Sequence, residues 1–271
     1  MKEFKIDSWD QFHEKIGEIR DEYGSYETAG IREENSIFFR GQADARWGLK
    51  STLERYQDKS WTIEAYAKLL LRCKSQIETY NEKNWDCVSH EKVEEYVSSE
   101  KNDYFINIPF YSFWVYLRHH GFPSPLLDWS KSPYIAFFFA LAEKSGAEYA
   151  SVFAYIAMPK GAKAGWSGSP VINEQGPYVT SHKRHFLQQS CYTICTKVDG
   201  RYHEFVEHKE VFKSKDMGQD LLFKILIPIS ERIKALKYLN DVNINFFSLF
   251  QTEDALVKTL AIKEMEKIGR L

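Results

Sequence analysis

Arg40, His119 and Asp128 are side chains of this sequence whose types and settings could do chemistry. Arg40 stands in Ser36-Ile-Phe-Phe-Arg-Gly-Gln42, which reads as a short strand running into a Gly turn. Alternation sets Phe38 and Arg40 on one face, Ile37 and Phe39 on the other. A guanidinium among apolar neighbours must find a partner, because an unpaired buried charge is expensive. Asp44 or Asp128 could pair with it. Alternatively it clamps an anion, since its planar fork fits phosphate oxygens. His119 has an unperturbed pKa suited to proton transfer near neutral pH, though the same ring could simply orient its loop. Asp128 is a second base of this kind, or else the partner of Arg40.

These groups need a rigid support. His119 and Asp128 lie in Arg118-His-His-Gly-Phe-Pro-Ser-Pro-Leu-Leu-Asp-Trp-Ser-Lys-Ser-Pro133. The stretch is too rich in Gly and Pro for a helix. Leu126, Leu127 and Trp129 are too apolar to be left in water, so it should lie against the core. Ser132 then caps a helix that begins with Pro133, whose missing N–H costs nothing at that position. Tyr134 to Ala142 is apolar on every side, the mark of a helix buried all round. A polar loop feeding the most buried helix is one way a site is held on a scaffold.

The other elements follow from spacing. Ser8 and Gln11 form a capping box ahead of Phe12, Ile16, Ile19 and Tyr23, and Gly24 ends that helix, so residues 1–35 read as a helical segment. Trp61 to Tyr80 is amphipathic, with Ile63, Tyr66, Ala67, Leu70, Cys73 and Ile77 inward. Residues 81–103 are polar and charged and are expected to form a surface insertion. Pro109 to Leu117 is a helix with Phe110, Phe113, Trp114 and Leu117 inward. Tyr149 to Met158 is strand-like, and 160–181 is a long Gly-rich loop of the kind used as a lid. Tyr192 and Ile194 lie on a strand that turns at Asp199-Gly200 and returns from Tyr202. Leu221 to Ile229 is another strand. Ser230 caps a helix carrying Ile233, Leu236 and Leu239. Thr252 caps the last helix, with Leu256, Leu260 and Met265 inward. With no repeat or dividing linker, the expectation is one α+β domain over residues 1–271, antiparallel strands between helices at both ends.

Composition narrows the function classes. At 44% hydrophobic and 15% aromatic, the chain can fill a substantial core and is not disordered. A net charge of −2 gives no field drawing the whole molecule to nucleic acid or an anionic membrane. Arg46-Trp47, Lys50 and Lys183-Arg184-His185 make only a thin basic patch. No run reaches transmembrane length and the first residues do not read as a signal peptide, so a soluble, cytoplasmic protein with no membrane partner is expected. Cys73, Cys87, Cys191 and Cys195 form no CxxC pair, which fits a reducing compartment. His182, His185, Cys191, Cys195 and His203 crowd one region. The two cysteines would lie roughly 13 Å apart on a strand, too far to share one ion, and no metal is expected. Walker and Rossmann glycine motifs are absent.

Phe39-Arg40-Gly41-Gln42, followed by His119-x-Gly121-Phe122-Pro123-x-x-Leu126-Leu127-Asp128-Trp129-Ser130-x-Ser132-Pro133-x-x-Ala136-x-Phe138-Phe139-Ala140, resembles the FRG domain family, named for its Phe-Arg-Gly motif. Arg184-x-x-x-Gln188 with Tyr192 looks like a third block of that family. Leu249-Phe250 with Asp254 and Leu256 looks like a closing one. The sequence departs from the pattern at Arg118, where the family has Gln, and at Ser124-Pro125, where it has Thr-Arg. It departs again at Ser190 for Gly and Gln251 for Pro.

A further similarity is to ADP-ribosyltransferases. Those enzymes carry in order a strand Arg, often followed by Gly, that contacts NAD phosphates; a Ser-containing strand end before a buried Ala- and Phe-rich helix; and a late Glu that orients the ribose. Arg40-Gly41, Asp128 to Pro133 with Ala136 and Phe139-Ala140, and then Gln188 look like that series. The resemblance implies a split sheet and NAD as substrate. It implies that Arg40, Gly41, Gln42, Ser130 and Ser132 hold the nucleotide; with Arg40 and Gln188 from that series, His119 and Asp128 join as candidate bases to complete the acting set. The implied activity is that of a transferase or NAD glycohydrolase, with a toxin or defence role.

Gln188 in place of Glu bears on mechanism. Cleaving the nicotinamide–ribose bond builds positive charge on the sugar, which a carboxylate stabilises. Gln188 can only hydrogen-bond the ribose hydroxyls. Either another group supplies the charge, such as His119, Asp128 or a Glu of the hairpin (Glu204, Glu207 or Glu210), or the site only binds. Three readings stand: an NAD-using enzyme, a nucleotide- or partner-binding module with the same cleft, and a satisfied polar network in the core.

Overall fold

The structure is a computed structural model that describes residues 1–28, 30–56, 59–99, 106–161, 163, 168–176, 183–200, 202–213 and 220–268. The chain begins with β1 (Lys2–Lys5), α1 (Trp9–Tyr23), a hairpin of β2 (Ser25–Thr28) and β3 (Ile31–Glu34), and β4 (Ile37–Gln42). Next come α2 (Thr52–Tyr56), α3 (Ile63–Asn81), α4 (His90–Ser98) and α5 (Tyr111–His119). The middle of the chain is β5 (Leu127–Ser130), α6 (Pro133–Leu141), β6 (Tyr149–Ala157), β7 (Val171–Gln175), α7 (Lys183–Leu187), β8 (Ser190–Asp199) and β9 (Tyr202–Phe205). It closes with β10 (Asp220–Pro228), α8 (Arg232–Asp241), α9 (Phe246–Phe250) and α10 (Glu253–Lys267).

The main sheet has the order β1-β10-β6-β4-β5-β8-β7, with β9 also on β8. Among the described strands of this sheet, only β1 with β10 is parallel. The α+β class and the mostly antiparallel sheet are therefore as expected. Along β4 the pairing is uneven. It matches β6 from Ile37↔Ile156 through Gln42↔Ser151, whereas it meets β5 at one pair, Phe39↔Ser130. The sheet thus opens along a seam between β4 and β5.

Helix α6 lies across β4 at this seam. A Cβ on Gly41 would stand 1.9 Å from the Ala136 carbonyl oxygen and 2.6 Å from the Ala140 nitrogen, so only glycine admits the helix so closely. Gly41 is inside the strand and not in a turn. As its composition demands, α6 buries nearly every side chain, and Ser132 Oγ accepts from the Ile135 N–H at 3.4 Å to cap it. Phe39 and Ile37 pack with α1, α6 and α8 on one face of the sheet. Phe38 joins Leu127, Trp129 and Tyr155 on the other. A third cluster joins α3, α4 and α5 to Leu126, Tyr192 and Ile194.

Several expectations are corrected. Residues 1–35 are not helical alone, since β1 extends the sheet. Gln11 Oε1 accepts from Asp7 N at 2.8 Å and not from Ser8 N, so only half of the expected capping box forms. Residues 81–99 are not a surface insertion: Trp85, Val88 and Val93 are buried in the α3–α5 cluster, a sparse apolar pattern that only packing reveals. Residues 100–103 lie outside the described residues. Strand β7 occupies part of 160–181, and most of the rest of that loop is also outside the described residues. Ser230 sits in a 3-10 turn before α8 and caps nothing. Thr252 Oγ1 does accept from Ala255 N at 3.3 Å, but α10 turns Ala255 inward and leaves Leu256, Leu260 and Met265 largely exposed. Among the described residues, no helix is long and apolar enough to cross a membrane.

Candidate functional site

A cleft of about 470 Å³ lies along the seam. Its floor is Phe39-Arg40-Gly41-Gln42 of β4 and Asp128-Trp129-Ser130 of β5; Ala136 and Phe139 of α6, Gln188 and Ser190 form further walls. Trp47, Phe246 and Phe250 add aromatic surface.

Arg40 points into the seam with its side chain 16% exposed. Nη1 donates to the Asp128 main-chain carbonyl at 2.6 Å and lies 3.9 Å from Oδ2 of the same residue. Asp44 is taken by Arg46, through its main-chain N–H and its guanidinium, so it is no partner for Arg40. Burial lowers the Arg40 pKa to about 10, against the pull of the Asp128 charge, and the group stays protonated at neutral pH. Its Nε is buried with no partner among the described residues.

Arg118, in the last turn of α5, holds the Asp128 carboxylate through Nε and Nη2, and its Nη1 donates to Thr52 Oγ1 at 3.3 Å. Burial works against both ions of this pair. The opposing charge and the paired hydrogen bonds outweigh it, holding Arg118 above and Asp128 below their ordinary values. The Asp128 side chain is recessed yet 47% exposed, because the cleft reaches it.

The remaining expected residues separate into two groups. Ser130 lines the cleft, its hydroxyl donating to the Gln188 carbonyl at 2.8 Å and accepting from Ser132 N at 3.1 Å. Gln188 also lines it, with Nε2 donating to the Leu249 carbonyl at 3.1 Å and tying the turn between α7 and β8 to α9. Gln42 donates to the Gly48 carbonyl at 3.1 Å, while its Oε1 is buried without a partner among the described residues. His119 and Ser132 do not line this cleft. Ser132 is the cap of α6, and His119 Nε2 is hydrogen-bonded at 3.1 Å to Tyr192 Oη, which faces His185 Nδ1 at 3.5 Å.

The hairpin brings no carboxylate. Glu204 pairs with Lys197, Glu207 with Lys50 and Lys209, and Glu210 with Lys213, away from the cleft. Burial pushes the Cys191 and Cys195 thiols up, and both pack in the apolar cluster behind Trp129. His182 lies outside the described residues, among which no group of three metal-ligating side chains gathers.

Arg118, Arg55 and the aromatic walls were not foreseen as site residues. Arg118 had left one trace, as a departure from the FRG pattern beside His119. Beneath the seam, Thr193 Oγ1 accepts from Trp129 Nε1 at 2.7 Å and is hydrogen-bonded to His208 Nε2 at 2.8 Å. Burial, and then the charge of Arg40, hold His208 down to about 3, and it is neutral. The cleft wall therefore carries Arg40 and Arg55, with Arg118 just behind Asp128; its carboxylates are Asp128 and Glu143, the latter at the rim beside Lys258.

The model of the FRG domain matches residues 35–148, which include β4, the stretch 118–133 and α6. The match places an FRG domain within the chain and covers less than half of it; the blocks around Gln188 and Leu249 lie outside. No curated protein and no solved structure matches the chain.

Proposed function

We propose that the seam cleft binds a nucleotide through its phosphates, with NAD the ligand to which the transferase resemblance points. One observation carries this reading. Arg118 satisfies the Asp128 carboxylate, so Arg40 rests on a main-chain carbonyl and keeps most of its charge for an anion. Arg40 is immobilised before any ligand arrives, which lowers the ordering cost of binding. Trp47, Phe139, Phe246 and Phe250 supply faces for a base.

Binding is better supported than turnover. Gln188 is tied to Leu249, and Asp128 is committed to arginine and too acidic to take a proton at neutral pH. Transferase or glycohydrolase chemistry remains a second reading on one ground: an ionised, half-exposed carboxylate at the cleft could stabilise positive charge on a ribose. A toxin or defence role would rest on that turnover.

Calorimetry of NAD against the wild type and Arg40→Ala, with the nucleotide recovered afterwards, tests both. Binding abolished in the variant with intact NAD recovered supports the module; nicotinamide released by the wild type supports the enzyme. Absence of binding to the wild type, or equal binding to the variant, removes NAD and Arg40 from the reading.

A further inference from the structure

A second cavity, of about 230 Å³, adjoins the seam cleft. The two share Asp128, Gln188, Ser190 and Phe250. We propose that this chamber is a phosphate-ester subsite, so that the ligand extends past Asp128 and ends in an oxyanion beside Arg118, His119 and Arg184. The proposal rests on the nucleotide reading for the ligand's other half, and on this chamber alone for the phosphate.

Charge is the first argument. Arg118 and Arg184 both line the chamber, and Asp128 is its one carboxylate among the described residues. Asp128 neutralises one guanidinium, so among the described residues two arginines face a single carboxylate here. Arginine is suited to phosphate because its fork matches two oxygens at once.

Preorganisation is the second. Arg118 is braced by Asp128 and Thr52, and the Arg184 guanidinium lies 5.2 Å from the Phe250 ring centroid. His119 is steadied through Tyr192. Little side-chain freedom remains to be lost on binding. Size is the third. Whole small-molecule sites run to roughly 300–1,000 Å³, so this chamber suits an end group and the seam cleft suits the larger part.

The test titrates inorganic phosphate into the full chain by calorimetry, for Arg40→Ala, which removes the seam anchor, and for Arg40→Ala combined with Arg184→Gln or with Arg184→Lys, each first shown by thermal melt to be folded. Phosphate affinity should fall about tenfold when Arg184→Gln is added and recover in part with Arg184→Lys. His119→Ala, which leaves both guanidiniums in place, should also weaken it. Equal phosphate affinity in Arg40→Ala with and without Arg184→Gln would overturn the proposal. No phosphate binding at millimolar concentration would overturn it too. Phosphate held at Arg184 by a protein that ignores NAD would leave this subsite standing and remove the NAD reading.

Discussion

Arg118 and Arg40 divide Asp128 between them: Arg118 takes both carboxylate oxygens, whereas Arg40 takes the main-chain carbonyl at 2.6 Å and stays 3.9 Å from Oδ2. The carboxylate is thereby held off the strand arginine and neutralises it only in part. Arg118 acts on the seam cleft without lining it.

Removing Arg118 should release that constraint. In Arg118→Met the carboxylate turns to Arg40, and anion binding in the seam cleft should weaken even though the cleft wall is intact. Arg118→Met with Asp128→Asn should restore it. The single variant should lose about 1–3 kcal/mol in urea denaturation, less than a fully buried pair loses, because Asp128 is half exposed. Equal anion affinity in the single and double variants would show that Asp128 does not compete for Arg40.

Gly41→Ala tests the packing that sets the seam. The added Cβ meets main-chain atoms of Ala136 and Ala140, which cannot rotate aside. A loss of about 3 kcal/mol or more in thermal or urea unfolding is expected. Gly48→Ala, where a Cβ meets nothing within 4 Å, should stay within about 0.5 kcal/mol.

His208 predicts a pH dependence. Its folded pKa is near 3 against an ordinary 6.5, so as pH falls the unfolded chain takes the proton first. The stability from neutral His208 is complete above about 6.5 and is lost as pH falls toward about 3. Between pH 7 and pH 4 the loss is on the order of 3 kcal/mol. Burial raises Glu174 and Asp220, whose contributions run the other way over part of the same range. The comparison is therefore with His208→Gln, whose stability from urea unfolding should fall less steeply across this window. Parallel curves would refute the assignment.

Trp85→Ala tests whether residues 81–99 belong to the core. Trp85 is 5% exposed, and its ring centroid lies 5.0 Å from those of Phe113 and Tyr116 in tilted contacts. A loss of about 3–5 kcal/mol is expected by chemical denaturation. A change under about 1 kcal/mol would return the segment to the surface.

Where the physics is local, the sequence by itself was enough. The all-apolar run after Ser132-Pro133 dictates a capped, buried helix, and alternation in Ile37–Gln42 by itself places Phe38 and Phe39 on opposite faces. The need of a buried arginine for a partner named Asp128 as one of two choices. Tertiary structure decided what depends on distance between segments. It chose Asp128 over Asp44, because β5 meets β4 at a single pair and brings the Asp128 carbonyl to Arg40. It gave Gly41 its reason in the approach of α6, and moved His119 out of the seam cleft to Tyr192. It buried Trp85, Val88 and Val93 from a stretch too sparse in apolar residues to show a period. Local pattern sets which face of an element is apolar; which polar groups meet across a sheet depends on register and helix crossing, and these are settled only when the whole chain packs.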